Sequence, residues 1–205
     1  MSGVEQQSTR TEESAPGANT PSASSRGAGP QTPAARWLIE TALVILAAFV
    51  LAQTIKSFVV QPFVIPTGSM IPTIEIGNRV LAEKVSFRLA REFQQGDIVV
   101  FDDPNGQHPE LIKRVIAVEG QTVDVRGDLV YVDGRPLEEP YVHGKPTTRG
   151  TVPLPAVVPP GQIWLMGDNR PSSGDSRYFG PRPVDTVRGR AFWTYWPLGA
   201  FGPLN

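Results

Sequence analysis

Leu111-Ile-Lys-Arg-Val-Ile-Ala-Val118 is an apolar, β-branched run broken by two adjacent cations, and its reading decides the fold. Residues of this type favour a pleated, half-buried strand. Side chains alternate along a strand, so Lys113 shares one face with Leu111, Val115 and Ala117, and Arg114 shares the other with Ile112, Ile116 and Val118. Two readings of Lys113 stand. It ends at a strand edge with its ammonium reaching water, or it is buried, and burial drives a lysine toward its neutral form. At a reference pKa near 10.4, roughly one lysine in a thousand is neutral near pH 7.5; a burial shift of about 3–5 units makes it a general base.

Similar runs recur on both sides: Val80 to Phe87, Asp97 to Phe101, Thr122 to Val125, Leu129 to Val132, Ile163 to Met166 and Gly189 to Tyr195. Gly127-Asp128 and Asp133-Gly134 are turn dipeptides between them. The 205 residues include 21 prolines and 20 glycines, none of them in residues 37–60, and after residue 60 they recur between the apolar runs, which disfavours long helices. Residues 61–205 therefore read as one antiparallel-rich β domain, and the fold class as mainly β.

Several chemistries are excluded or disfavoured. Without cysteine there is no disulfide scaffold, thiol nucleophile or cysteine-ligated zinc. A net charge of −1 gives no electrostatic footprint for nucleic acid. The two histidines, His108 and His143, lie in polar, turn-rich loops and read as solvated. No acidic or histidine spacing suits a metal, so neither metal nor cofactor is expected.

The chain before the β domain divides in two. Half of residues 1–36 are Ser, Thr, Gly or Pro with no aromatic, a composition expected to give a disordered tail. Residues 37–60, WLIETALVILAAFVLAQTIKSFVV, carry only Glu40 and Lys56 as charges. As a helix of about 36 Å they would cross a hydrocarbon core of about 30 Å, with Trp37 and Lys56 near the interfaces. A buried soluble helix competes with this reading, as does a secretory signal cleaved after Val50-Leu51-Ala52. The long, charge-balanced stretch ahead of it and the apolar run beyond Ala52 favour an uncleaved, single transmembrane anchor. Arg36 and Lys56 flank it evenly, so charge leaves the orientation open; the tail is taken as inside and the β domain as outside.

Two further stretches bear on chemistry. In Ile65-Pro-Thr-Gly-Ser-Met-Ile-Pro-Thr73, prolines restrict the backbone and present Ser69 on a turn, with the Thr67 hydroxyl two residues away. A plain Ser/Thr turn is the competing reading. Met166-Gly-Asp-Asn-Arg-Pro-Ser-Ser-Gly-Asp-Ser-Arg-Tyr-Phe-Gly180 is a long polar loop. In it Asp168, Arg170, Asp175 and Arg177 can form charge-assisted pairs, so it reads as structured.

Together these stretches resemble bacterial type I signal peptidase, a membrane-bound serine protease family. The resemblance runs from about Lys56 to Leu198 and includes Gly96-Asp-Ile-Val-Val-Phe101, Val130-Tyr-Val-Asp-Gly-Arg-Pro-Leu137, Glu139-Pro-Tyr141 and Gly189-Arg-Ala-Phe-Trp193. It implies that Ser69 is the nucleophile, Lys113 the general base, and Thr67 with the Ser69 N–H the oxyanion hole. By the same resemblance Ser173 orients the lysine, Asp175 and Arg177 support its loop with Asp168 and Arg170, and Phe63, Ile65, Met70 and Ile112 form small-residue pockets for substrate positions −1 and −3. Substrates would be signal-peptide-bearing preproteins met at the lipid surface. The protein would be single-pass in the bacterial cell membrane, its N-terminus cytoplasmic and its catalytic domain extracytoplasmic. Thr67 stands where better-known members have serine, and Pro171 where an acidic residue is usual. A self-cleaving repressor protease would need a DNA-binding helical domain, for which residues 1–60 offer no candidate. A catalytically inactive, membrane-tethered β module that binds exported peptides is the remaining alternative.

Overall fold

Every strand pairing in the structure is antiparallel. The structure is a computed structural model and describes residues 33–86 and 92–204. Most of the expected tail, residues 1–32, lies outside the described residues. Helix α1 spans Pro33–Phe58, so it starts within the segment read as tail and stops before Val60. Proline is tolerated at such a start because the first helical N–H groups have no intrahelical partner. At about 39 Å the helix is long enough to cross a membrane, and Ala34–Ile55 is apolar enough. Large side chains such as Leu43, Leu46, Phe49 and Leu51 stand exposed along it.

The strands are β1 (Val60–Val64), β2 (Arg79–Glu83), β3 (Ile98–Asp102), β4 (Glu110–Val118), β5 (Thr122–Arg126), β6 (Leu129–Val132), β7 (Arg135–Pro136), β8 (Ala156–Val157), β9 (Gln162–Met166), β10 (Arg182–Pro183), β11 (Val187–Trp196) and β12 (Gly202–Pro203). The larger sheet runs β1-β2-β11-β3-β4-β9-β10, with β12 added to β11; the smaller runs β7-β6-β5-β8. This is the mainly β class expected from the sequence. The run read from Val80 to Phe87 is strand only to Glu83, whose carboxylate accepts the N–H groups of Val85 and Ser86 and turns the chain. Phe87 lies outside the described residues.

Turn chemistry sets the smaller sheet. Asp133 and Gly134 have φ of 51° and 77°, the left-handed pair a two-residue type I′ hairpin needs between β6 and β7. Gly127, with φ of 58°, leads the turn between β5 and β6.

Strand β4 lies inside the larger sheet between β3 and β9, so Lys113 is not at an edge. A register shift between Val115 and Ala117 resets its alternation. Val115 packs in one cluster with Val99, Phe101, Leu111 and Val118. Ile116 and Ala117 both enter another, with Val123, Val130, Trp164 and Met166, which joins the two sheets. Ala117 therefore does not share the face of Val115 as strict alternation predicts. A third cluster, including Phe63, Ile65, Met70, Ile98 and Ile112, underlies the segment that carries Ser69.

Candidate active site

Ser69 follows β1 on a turn that is fixed at both ends. The Ile65 N–H donates to Asn78 O, and the Ile74 N–H donates to Met70 O. Met70 and Ile74 are wholly buried beneath it, so apolar packing seats the turn while Ser69 stays near the surface of that core. Ser69 Oγ lies 2.6 Å from Lys113 Nζ, which also donates to Ile112 O at 2.9 Å. Thr67 Oγ1 is 3.5 Å from Ser69 Oγ.

Lys113 is only 1% exposed. Burial pulls its amine down to about 8, against the upward influence of Asp175, Asp103 and Asp168. Desolvation disfavours the ammonium more than those carboxylates, at their distances, support it. The alternative of an ammonium reaching to water is thus excluded. A lysine in this state holds a usable neutral fraction close to neutral pH and touches one hydroxyl.

The loop after β9 carries the remaining expected residues, and it is held by buried ion pairs. Asp175 caps the short helix α2 (Ser176–Phe179) and pairs with Arg177 through both oxygens, each at 2.8 Å. It also accepts the Gly167 N–H at 3.1 Å. Asp168 and Arg170 form their ion pairs elsewhere, with Arg114 and Glu139, although the Arg170 backbone oxygen accepts from Arg177 Nη2 at 2.8 Å. Asp168 takes a bidentate guanidinium from Arg114 at 3.0 and 2.8 Å, and the Thr73 hydroxyl at 2.5 Å. Arg170 forms a fork with Glu139 and donates to Gly167 O and Thr147 Oγ1. The Arg114 guanidinium lies 3.9 Å over the Tyr141 ring, and Tyr141 donates to Glu139. One buried network thus joins β4, the Glu139–Val142 segment and the loop. Buried charges persist only when paired in this way.

Ser173 is buried, and its Oγ has no hydrogen-bond partner among the described residues. It touches the site through Gly167: a Cβ built there would fall 2.3 Å from Ser173 Oγ and 2.4 Å from Ser69 O. Of the expected pocket residues, Phe63, Ile65 and Ile112 line a cavity of about 60 Å³ together with Val100, Pro109 and Glu110. Met70 does not line it and lies wholly buried in the core. Among the described residues no group of three or more His, Asp or Glu side chains could hold a metal ion.

Sequence reasoning missed Arg114, Glu139, Asn169 and Lys145. Asn169 donates from its side chain to Gly68 O and from its backbone to Ser69 O, each at 3.0 Å. Lys145 donates to Asn169 Oδ1 at 3.1 Å. Partners so far apart in the chain leave no local pattern.

A family model described as signal peptidase, peptidase S26, matches residues 38–196, most of the chain. The chain belongs to the signal peptidase family, peptidase S26. It is a serine endopeptidase of that family. It is 41% identical to a probable signal peptidase I-1 of Synechocystis over 83% of this chain and 88% of that one. It is 37% identical to a signal peptidase I of Leptolyngbya laminosa, covering 82% and 84%. A signal peptidase I of Mycobacterium tuberculosis is 33% identical, covering 82% and 76%. A crystal structure of a signal peptidase I from Enterococcus faecalis superposes with a TM-score of 0.43 and 32% identity, over 48% of this chain and 96% of that one.

Proposed function

We propose that this peptidase cleaves signal peptides from exported preproteins by acyl transfer on a Ser69–Lys113 dyad. The observation that carries the reading is the 2.6 Å contact between Ser69 Oγ and a buried Lys113 amine whose pKa lies near 8. Neutral Lys113 takes the Ser69 proton, and the alkoxide adds to the scissile carbonyl. The Ser69 N–H and Thr67 hydroxyl receive the oxyanion, each supplying about 3–4 kcal/mol. The Lys113 ammonium returns its proton to the leaving amine, and the neutral amine then activates the water that releases the acyl group.

Ser173, whose hydroxyl has no partner among the described residues, orients the ammonium when Nζ carries the extra proton. Asp168, Arg170, Asp175 and Arg177 hold the loop that delivers Ser173. The small cavity beside Phe63, Ile65 and Ile112 accepts small side chains at −1 and −3. Helix α1, with its exposed apolar side chains, anchors the chain as a single pass in the bacterial membrane, where the substrate's own apolar segment lies. Its N-terminus is cytoplasmic and the β domain extracytoplasmic.

The test is to incubate detergent-solubilised full chain with a preprotein and weigh the products. One cut after a small residue, with another small residue at −3 and no cut by Ser69→Ala, is the expected result. No cleavage by the unaltered chain would instead favour an inactive peptide-binding module.

A further inference from the structure

The turn that bears Ser69 is gripped from outside by two residues to which the dyad assigns no part. Asn169 Nδ2 donates to Gly68 O at 3.0 Å, and the Asn169 N–H donates to Ser69 O at 3.0 Å. Lys145 Nζ donates to Asn169 Oδ1 at 3.1 Å and makes a longer contact, 3.5 Å, with Ile71 O. Lys145 reaches this position from a chain reversal at His143 and Gly144, whose φ angles are 53° and 69°. A lysine ammonium can only donate and a carbonyl can only accept, so these two neighbours fix the Asn169 amide in one orientation.

We propose that Lys145 and Asn169 form a relay that orients and polarises the Ser69 N–H, the backbone donor to the oxyanion. The proposal rests on the Ser69 reading above. Gly68 C=O and Ser69 N–H belong to the same planar peptide unit, so a bond that fixes the oxygen also fixes the direction of the N–H. A donor on that oxygen withdraws electron density and strengthens the N–H as a donor, and the Lys145 charge on the far side of the amide adds to the effect. Among the described residues the Ser69 N–H has no backbone acceptor of its own, which leaves it available to substrate. Neither Asn169 nor Lys145 touches the reacting atoms in this scheme; both are positioning residues.

The relay predicts a loss in kcat without a loss in substrate binding. Full-length Asn169→Asp, Lys145→Met and Ser69→Ala are compared with the unaltered chain for kcat, KM, thermal unfolding and affinity for a peptide aldehyde, whose hemiacetal oxygen sits where the oxyanion forms. Asn169→Asp keeps its volume and gains an ion pair with Lys145, so it should fold, but it loses the donor to Gly68 O. Expected are a fall in kcat of about 10- to 100-fold for Asn169→Asp and about 3- to 10-fold for Lys145→Met, KM within about twofold, and a parallel fall in aldehyde affinity. Unchanged kcat in either variant while Ser69→Ala is inactive overturns the relay alone. So does a loss confined to KM, or a fall in kcat without a matching fall in aldehyde affinity. An active Ser69→Ala overturns the nucleophile assignment and the relay with it.

Discussion

Gly167 and Ser173 stand so close that a Cβ on the glycine would lie 2.3 Å from the serine Oγ and 2.8 Å from its Cβ. The same added atom would meet Ser69 O at 2.4 Å. No side chain fits between the loop and the Ser69 turn, so this glycine sets the distance between them. Gly167→Ala should therefore push the two apart, destabilise the chain by about 1–3 kcal/mol, and lower turnover more than thermal stability. Parallel melting and cleavage assays check this; full turnover in Gly167→Ala would mean that the loop can retreat without disturbing Ser69.

The pair Arg114–Asp168 has both side chains essentially buried. Removing one partner leaves an uncompensated charge in the interior. Arg114→Met should cost about 3–5 kcal/mol in denaturant unfolding. Arg188–Asp102, exposed on both sides, is the control: Arg188→Met should cost at most about 1 kcal/mol.

Activity should rise with pH as Lys113 loses its proton, with a limb near 8. Asp103 raises that value through its charge, so Asp103→Asn should move the limb to lower pH. Stability follows the same proton. With the folded value below the unfolded one near 10.5, the unfolded chain binds more protons between pH 8 and 10.5, so stability increases across that window. The full effect is about 3 kcal/mol, and Lys113→Met should abolish that slope. Unfolding measured at several pH values in both proteins reads it directly.

Much of this was legible in the sequence where the signal is local. The run Leu111–Val118 predicts a strand, though it leaves its lysine either interior or at an edge, and Asp133-Gly134 predicts its hairpin, because backbone preference and alternation act over a few residues. Where partners are distant, local pattern fails. Asp168 and Arg170 alternate with Asp175 and Arg177 along one loop, yet Asp168 pairs with Arg114 and Arg170 with Glu139. The bulge at Val115–Ala117 moves Ala117 to the other cluster, and nothing in Val-Ile-Ala announces it. Lys145 carries no local signal of its contact, because Asn169, its partner, is 24 residues away.

Thr67 offers a narrower test. Its hydroxyl lies 3.5 Å from Ser69 Oγ, and its extra methyl restricts the rotamers that reach it. Thr67→Ala should lower kcat by about 10- to 1000-fold, whereas Thr67→Ser, which keeps the hydroxyl, should be mild. Steady-state kinetics on a peptide substrate separate the two.

The dyad stands or falls on Lys113. Cleavage of a signal-peptide-bearing preprotein by purified, folded Lys113→Ala is the most direct measurement. A Ser69–Lys113 dyad predicts no product above background while the melting curve stays cooperative; turnover at the level of the unaltered enzyme would contradict it.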